Sequence, residues 1–460
     1  MMKRKGRIAA SLLLTTVLVG SMAGCGSKAE ENPSSEENKS QEKDGGGSTD
    51  EKKEGAVLKV WLPNTFSEDA DKLIEERCLE FAENRDDVKE VKVEFISGTD
   101  GYAKWNAAIE SGDVPDLTFL HITAYNNYAG MGVLEDLSDT VADVESSYGA
   151  LIENHKENFT FDGKIYTLPL YAQINSMTYR TDILEQAGAD VPETWEDLRE
   201  VSKKIKDAGL DCYGFGNGMG SADDGEDILR CVFRSFGARS WDEDGNVVIN
   251  SKEAVDAVNY LADMYQSGYM PPSVLEWDAS GNNTSYLAGE SAIVFNPPTL
   301  YNVTQNDENK DTLGKVTSIT ALPKGDYESW SNINYIMFSI FNKAEHKDLA
   351  KELLKSFFDQ EWYDAYIESG FPVAGPVFEK TLETEKWKSD IGQQILPQSY
   401  LGRRYGYPSE DPLVAVADAK AYNDFVLSKT MQKVLLDNMS AEDAVSELEQ
   451  ELQGYLDAEK

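Results

Sequence analysis

Residues 56 to 120 alternate between strand-forming and helix-forming patterns. Residues 56–62 and 91–96 are rich in Val and other apolar residues, and the second segment alternates polar and apolar side chains with period two. Helical patterns lie at about 64–84 and 103–111, and a third strand is predicted at 116–120. Strands separated by single helices usually pair in parallel, because the helix carries the chain back along the sheet. The sequence therefore predicts an α/β fold.

Helical patterns continue through the rest of the chain, at 195–208, 251–267, 347–358, 361–369 and 441–456. Ser440 precedes the last of them and Asp443 follows three residues later, a spacing close to that of a capping box. Between Trp241 and Val247, the run Asp-Glu-Asp-Gly predicts a hairpin turn. Regular structure is therefore predicted along most of the chain after residue 55.

The N-terminus follows a different pattern. Cations at positions 3, 4, 5 and 7 precede an apolar run at 8–20, and small residues then lead to Cys25. The run is shorter than the ~20 residues that span a bilayer as a helix, but it suits the core of a signal peptide. The sequence Ser-Met-Ala-Gly-Cys at 21–25 resembles a bacterial lipobox. We predict a lipoprotein signal peptide at 1–24 and a lipid on Cys25, on the outer face of the bacterial cytoplasmic membrane; a plain secretory signal is the alternative.

Residues 25–55 contain no aromatic side chain and consist largely of Gly, Ser, Glu, Lys and Asn. Such a segment cannot bury enough apolar surface to offset the entropy lost on folding. We therefore predict a flexible tether between the lipid and the folded part of the chain. A random coil of ~30 residues would span roughly 30 Å.

The chain is strongly acidic. Its 460 residues include 43 Lys and Arg against 82 Asp and Glu, which gives a net charge of −39. A surface of this sign repels phosphate backbones and anionic lipid head groups, so nucleic-acid binding and electrostatic membrane docking are excluded. Apolar residues make up 41% of the chain, enough for a folded core. The charge then serves solubility and is nearly irrelevant to a neutral ligand.

No catalytic or metal-binding motif stands out. The chain lacks Gly-x-Ser-x-Gly, and His121, His155 and His346 match no zinc-binding spacing. The glycine-rich loop 214–220 has Met219 where a dinucleotide-binding loop needs glycine, and the loop 240–251 lacks the final glutamate of a calcium site. We expect no enzymatic activity, cofactor or metal. An extracellular glycoside hydrolase, which needs a pair of carboxyl groups, is the less favoured alternative. A chain with this many acidic residues contains many such pairs, so their presence is not a specific signal.

Polar and aromatic residues follow three predicted strands, at 61–65, 121–127 and 171–175. Ligands of open α/β sheets bind outside the carboxyl ends of the strands. Aromatic faces combined with amide and carboxylate groups suit a saccharide. These segments are therefore candidates for a ligand site.

Several motifs occur in a fixed order along the chain. The strongest is Phe-Asp-Gly-Lys-Ile-Tyr-Thr-Leu-Pro at 161–169, followed by segments at 177–184, 187–188 and 192–198. Weaker segments lie at 112–117, 287–294, 321–323, 350–357, 370–373 and 432–440. From about residue 56 to the C-terminus, this series resembles the extracellular solute-binding proteins of ABC transporters, in the carbohydrate-binding branch that includes maltose-binding protein.

The resemblance implies a two-lobed, periplasmic-binding-protein-like (type II) α/β fold with a ligand cleft between the lobes. The chain would cross between lobes three times, near 168–171, 322–330 and 371–375. The N-terminal lobe would comprise 56–168 plus 326–372, and the C-terminal lobe 172–321 plus 376–460. Hinged closure of the lobes would then enclose the ligand.

The resemblance also implies a set of ligand-binding residues. They are Asn64, Thr65, His121, Tyr125, Tyr171, Gln173, Asp224, Asp227, Trp277, Asn296, Thr299, Trp330, Arg403 and Tyr405. Pro297 and Pro298 stand where relatives often carry Gly and Trp, so one expected aromatic platform is missing. Trp277, Trp330 and Tyr405 are candidates to replace it.

The sequence therefore predicts a membrane-anchored extracellular receptor that binds a carbohydrate and delivers it to the permease of an ABC importer. An oligosaccharide is the leading ligand, and a monomer is expected. A receptor for a non-sugar solute and a sugar sensor are the alternatives. Among the cysteines, Cys78 has the spacing of a helix core position and is predicted to be buried, whereas Cys212 and Cys231 can either pair or stay free.

Overall fold

The computed structural model describes residues 55–325, 327 and 333–460. The predicted signal peptide, the lipidation site at Cys25, the tether up to residue 54 and Trp330 therefore lie outside the described residues. The strands are β1 (Ala56–Pro63), β2 (Val88–Ile96), β3 (Leu117–Leu120), β4 (Thr160–Phe161), β5 (Lys164–Ile165), β6 (Leu168–Ile174), β7 (Ser176–Arg180), β8 (Tyr213–Phe215), β9 (Ser291–Asn296), β10 (Thr317–Thr320) and β11 (Ile333–Ser339).

Helices connect and cover these strands. They are α1 (Glu68–Glu83), α2 (Gly98–Ser111), α3 (Ile122–Gly130), α4 (Ser138–Ser147), α5 (Glu153–Phe159), α6 (Thr181–Ala187), α7 (Trp195–Asp207), α8 (Asp223–Ser235), α9 (Lys252–Gln266), α10 (Gly281–Leu287), α11 (Thr299–Gln305), α12 (Lys347–Ser356), α13 (Gln360–Ser369), α14 (Glu385–Lys388), α15 (Asp390–Ile395), α16 (Pro412–Asn423), α17 (Val426–Leu436) and α18 (Ala441–Glu459). Short 3-10 turns lie at Pro272–Leu275, Leu313–Lys315, Glu379–Glu383 and Leu396–Tyr400.

The first sheet has five strands in the order β2-β1-β3-β11-β6. Strand β1 pairs in parallel with β2 and β3, whereas β11 pairs antiparallel with β3 and β6. Helices cover the sheet with apolar side chains at helical spacing, among them Ile74 and Cys78 on α1 and Trp105 on α2, all 0% exposed. The alternation of strands and helices in the sequence therefore produces the predicted parallel arrangement.

The second sheet has four strands in the order β10-β7-β9-β8. Only Asn175 separates β6 of the first sheet from β7 of the second, so the chain passes between the sheets in one residue. Each sheet has its own buried core. Helix α16 contributes to both, with Val416 and Ala419 in the first core and Ala417 and Ala421 in the second. This helix therefore packs against both sheets.

The predicted α/β fold is confirmed, as are the helices expected at 195–208, 251–267, 347–358, 361–369 and 441–456. The Ser440 hydroxyl accepts a hydrogen bond from the backbone N–H of Asp443 at 3.1 Å, as the capping pattern predicted. The lobe boundaries stay a prediction. Strand β6 remains paired with β11 through Ile174, and Trp387 and Ile395 pack in the first core.

Among the described residues, Cys78, Cys212 and Cys231 form no disulfide bond. Cys78 is buried as predicted, and burial raises the pKa of its thiol. Of the two alternatives for Cys212 and Cys231, the structure has the one without a disulfide bond between them. In the part of the chain that the structure describes, no helix combines the length and the apolar character needed to cross a membrane.

Acid should destabilise the fold through His155. This side chain is 0% exposed, its Nδ1 lies 2.8 Å from the Tyr335 hydroxyl, and burial lowers its pKa to about 3. The unfolded chain, with an ordinary histidine pKa of ~6.5, binds a proton more readily. Stability from His155 is therefore complete above pH ~6.5 and is lost as the pH falls toward 3.

Urea unfolding at pH 7 and pH 4.5 tests this expectation. The wild type should lose about 2 kcal/mol more between these pH values than His155→Gln, which has no titrating ring. His346→Gln, at a partly exposed position, is the matched control and should keep the wild-type pH dependence. An equal loss in the wild type and His155→Gln would contradict the assignment.

Candidate functional site

The loop after β1 is held by one carboxylate of α1. Asp71 accepts hydrogen bonds from the Thr65 backbone N–H at 2.7 Å, from the Thr65 hydroxyl at 2.6 Å and from the Asn64 amide at 3.2 Å. Asn64 is exposed and Thr65 is partly exposed. Both predicted residues therefore lie in an ordered loop at the carboxyl end of β1.

His121 directly follows β3 and precedes the first turn of α3. Its ring contacts those of Trp105 and Phe119 edge-on, with centroids 6.0 and 5.7 Å apart. Burial lowers the pKa of His121 to about 4, so the imidazole is neutral at neutral pH. In the first turn of α3, the Thr123 hydroxyl hydrogen bonds to the Tyr102 hydroxyl. This corner of the first sheet therefore presents uncharged polar groups.

Three further predicted residues of this side differ in exposure. Tyr125 is 0% exposed and its hydroxyl donates to the Phe159 carbonyl, and Tyr171 is also 0% exposed, packed against Phe66 at 5.6 Å. Gln173 on β6 is partly exposed and pairs in register with Asn334 on β11. The structure thus places the two tyrosine rings in the core and Gln173 nearer the surface.

The first turns of α8 carry three aspartates at increasing depth. Asp223 is exposed, yet desolvation by the surrounding protein raises the pKa of its carboxyl. Asp224 is partly exposed, and its pKa is raised to about 6, mainly by desolvation. Asp227 is buried, and desolvation raises its pKa to about 8. The three carboxyl groups thus lie at increasing depth, with Asp227 at the floor of the candidate site.

Asp227 joins elements of both sheets. Its carboxylate accepts from the Tyr422 hydroxyl on α16 at 2.6 Å and from the Asn334 amide on β11 at 3.1 Å. Strand β11 belongs to the first sheet, whereas α8 packs in the core of the second. The site therefore lies where the two sheets meet.

A chain of asparagine amides continues from Asp224 toward the end of β9. The Asn282 amide donates to Asp224 at 3.2 Å and to the Phe295 carbonyl at 3.0 Å. The Asn296 amide donates to Asn283 at 2.6 Å. Thr299, one turn further on, donates to the Pro297 carbonyl at 3.2 Å. Carboxylate and amide groups thus converge at the carboxyl end of β9, as expected for a ligand site.

Trp277 lies beside this polar chain. Its indole N–H donates to the Ser273 hydroxyl at 3.0 Å, and the ring is partly buried. A Cβ at Gly281 would lie 2.4 Å from the indole, and a Cβ at Gly220 would lie 2.7 Å from the Trp277 carbonyl. The absence of side chains at Gly220 and Gly281 thus makes room for the tryptophan.

The late loop shows a different arrangement. Arg403 donates to the carbonyls of Tyr400 and Gly402 at 2.9 and 3.0 Å. Tyr405 is 6% exposed, and its ring packs edge-on against that of Tyr422 at 5.5 Å. Tyr405 is therefore a buried packing residue that supports Tyr422.

The structure adds residues to the candidate site that the sequence did not single out. They are Tyr102, Asn282, Asn283, Asn334, Tyr422, Asn423 and Phe425. Tyr102 hydrogen bonds to Asn423, which joins α2 to the end of α16. Phe425 has φ +56° at the start of α17, a left-handed conformation that is uncommon outside glycine. Such strain concentrates at functional sites, and the partly exposed ring belongs to neither buried core.

No cluster of three or more His, Cys, Asp or Glu side chains with metal-binding geometry occurs within 55–325, 327 and 333–460. The aspartates of α8 are accompanied by amides and hydroxyls. This donor set suits a ligand that carries many hydroxyl groups, because each hydroxyl can both donate to a carboxylate and accept from an amide.

Two known binding proteins resemble this chain over part of their length. A binding protein of Brucella abortus is 24% identical over 267 residues, covering 58% of this chain and 64% of the relative. The arabinooligosaccharide-binding protein of Halalkalibacterium halodurans is 23% identical over 258 residues, covering 54% of this chain and 55% of the relative. The chain thus matches less than two thirds of the length of these relatives.

The solved structure of maltose-bound MalE3 from T. maritima has the same fold. It aligns with a TM-score of 0.71 at 20% identity, over 87% of this chain and 100% of that one. The family described as bacterial extracellular solute-binding protein matches residues 64–363, more than half of the chain. The chain therefore belongs to the family of bacterial extracellular solute-binding proteins.

Proposed function

We propose that this protein is an extracellular receptor that binds an oligosaccharide between its two sheets and delivers it to an ABC importer. The observation that carries the proposal is the row of Asp224, Asn282, Asn283 and Asn296 at the end of β9. Two partly exposed aromatic rings accompany this row: Trp277 packs against the core of the second sheet, and Phe425 immediately precedes α17. Relatives named for arabinooligosaccharide and maltose support a saccharide as the ligand class.

The polar row and the aromatic rings match the two sides of a sugar. Hydroxyl groups bond carboxylates and amides, and the C–H face of a pyranose packs against an aromatic ring. Phe425 supplies an aromatic surface in a loop distant in sequence from Pro297 and Pro298, where the expected platform is missing. A neutral saccharide does not require cationic side chains in its site. The three aspartates on α8 are therefore compatible with such a ligand.

The ligand would be enclosed by hinged closure. Only Asn175 separates β6 from β7, so few backbone dihedrals need to change for the sheets to rotate. The Asn334–Asp227 hydrogen bond links the two sides at the floor of the site. We propose the lobes expected from the resemblance as the two moving bodies, with the first extended through Ile174 because β6 stays paired with β11.

We further propose that the receptor is exported, anchored by a lipid on Cys25 and monomeric, and that it binds without turnover. Its partners would be the permease subunits of an ABC importer. The lipobox-like sequence before Cys25 supports the anchor. Incubation with oligosaccharides should leave the number of reducing ends constant, whereas new reducing ends would establish a hydrolase and overturn the binding-only function.

A screen of mono- and oligosaccharides by thermal shift and calorimetric titration tests the ligand class. A ligand that binds only the folded state stabilises it by about 2.7 kcal/mol at 100 times its dissociation constant. We expect stabilisation by at least one neutral oligosaccharide and none by peptides. Stabilisation by peptides alone would contradict the proposed ligand class.

Asp224→Asn should weaken oligosaccharide binding by about tenfold or more, because hydrogen bonds to a charged acceptor contribute about 1.5–3 kcal/mol. Calorimetric titration measures the change. Asp207→Asn, at an exposed position at the end of α7, is the matched control and should bind as the wild type. Wild-type affinity in Asp224→Asn would remove this carboxylate from the site.

Phe425→Ala should weaken binding while leaving the melting temperature nearly unchanged, because the ring lies outside both buried cores. Loss of one stacked aromatic face should cost about 1 kcal/mol, or about fivefold in affinity. Leu436→Ala, which removes a 60% exposed apolar side chain at the other end of α17, is the control. If Phe425→Ala and Leu436→Ala bind equally well, Phe425 does not contact the ligand.

A further inference from the structure

Arg230 lies at the centre of a buried ionic cluster behind the site. It is 8% exposed on α8, one turn after Asp227. Its guanidinium lies 3.1 Å from Asp418 on α16 and 3.7 Å from Glu226 on its own helix. The rings of Tyr405 and Tyr422 flank it, with centroids at 5.4 and 5.2 Å. One cation thus contacts α8, α16 and the late loop.

Each partner of Arg230 holds a different part of the site wall. Glu226 accepts the backbone N–H groups of Leu427 and Ser428 at 3.2 and 3.0 Å, in the first turn of α17. Leu427 and Ser428 lie two and three residues after Phe425, whose backbone is strained. The carboxylate of Glu226 therefore anchors the helix that carries the Phe425 ring.

The other partners act on the late loop and on Asp227. Asp418 accepts the backbone N–H of Gly406 at 2.8 Å, next to Tyr405. Tyr422, against the guanidinium, donates its hydroxyl to Asp227. A single intermediate residue thus connects Arg230 to each of three parts of the structure: the start of α17, the late loop and Asp227.

A buried ionic cluster of this kind contributes little net stability to a protein core. Glu226 is 0% exposed and Asp418 is 1% exposed, so three charged groups lose their hydration on folding. A buried ion pair is often no better for stability than apolar residues of similar volume, although removing one partner alone is strongly destabilising. A role in fixing the positions of the surrounding side chains explains the cluster better than a contribution to stability.

We propose that Arg230 is a positioning residue for the ligand site: through Glu226, Asp418 and Tyr422 it holds Phe425 and Asp227 in the arrangement that binds the saccharide. The inference rests on the proposed function and deepens it. Arg230 itself does not contact the ligand.

The test replaces the whole cluster by neutral residues of similar shape, Glu226→Gln, Arg230→Met and Asp418→Asn together. No uncompensated charge then remains buried, so the triple variant should melt close to the wild type, whereas Arg230→Met alone should melt lower. Oligosaccharide affinity of the triple variant should fall by about tenfold, since couplings between residues in contact commonly reach this size. Wild-type affinity in a folded triple variant would overturn the inference.

A double-mutant cycle separates positioning from a general structural role. If Arg230 acts through Phe425, the triple change should cost much less affinity in a Phe425→Ala background than in the wild type. An equal loss in both backgrounds would show that the cluster does not act through the ring and would overturn the inference. If triple-variant folding is impaired, the same cycle with Asp418→Asn alone applies, because it removes one contact and leaves the Arg230–Glu226 pair.

An exposed cluster of the same composition in the second core's helices provides the matched control. Arg199 on α7 lies 2.6 Å from Glu196 and 3.5 Å from Asp263 on α9. Glu196→Gln, Arg199→Met and Asp263→Asn together should leave affinity unchanged. A wild-type protein that binds no saccharide would overturn the proposed function and this inference with it, whereas equal affinity of wild type and triple variant overturns the inference alone.

Discussion

The central constraint on this structure is the insertion of β11 between β3 and β6. The parallel strands β1, β2 and β3 come from the first 65 described residues or so, yet their sheet is completed by a segment that begins at Ile333. The strands of the second sheet lie between β6 and β11 in the sequence, so the chain must return to the first sheet after completing the second. The two sheets are therefore joined by more than one connection. The same insertion brings Asn334 within 3.1 Å of Asp227.

The chemistry of the site follows from this meeting of two sheets. Parallel strands end at one edge, where loops such as those after β1 and β3 gather polar side chains. The second sheet adds the aspartates of α8 and the asparagines around β9. Each side supplies part of this polar set, since Asp227 on α8 accepts hydrogen bonds from Asn334 on β11 and from Tyr422 on α16. Ligand binding and the relative placement of the sheets are therefore expected to be coupled.

Much of the local structure could be predicted from the sequence. Local sequence patterns predicted the strand–helix alternation from residue 56, the later helices and the burial of Cys78. Each of these depends on residues close in the chain, where hydrophobic periodicity and capping residues indicate the structure directly. Asp224, Asp227 and Asn296 were implied by family resemblance, and the structure brings them near one another; their contact with a ligand stays a prediction.

Other parts of the site could not be predicted, for physical reasons. Asn334 and Tyr422 join Asp227 across 107 and 195 residues of sequence, and no local pattern encodes such a contact. Aromatic residues gave an ambiguous signal because the same ring suits a core and a sugar, and the structure places Tyr125 and Tyr171 in the core. The conformation of Phe425 depends on the Glu226 carboxylate that holds the next turn, which is again a tertiary contact.

A crystal structure of the protein with a neutral oligosaccharide tests the central claim most directly. The account predicts a sugar ring against Phe425 or Trp277, with hydroxyl groups within hydrogen-bond distance of Asp224 and Asn296. It also predicts that the two sheets are closer than in the ligand-free protein. A saccharide bound away from α8 and β9, or a complex in which these residues keep only their mutual hydrogen bonds, would contradict it.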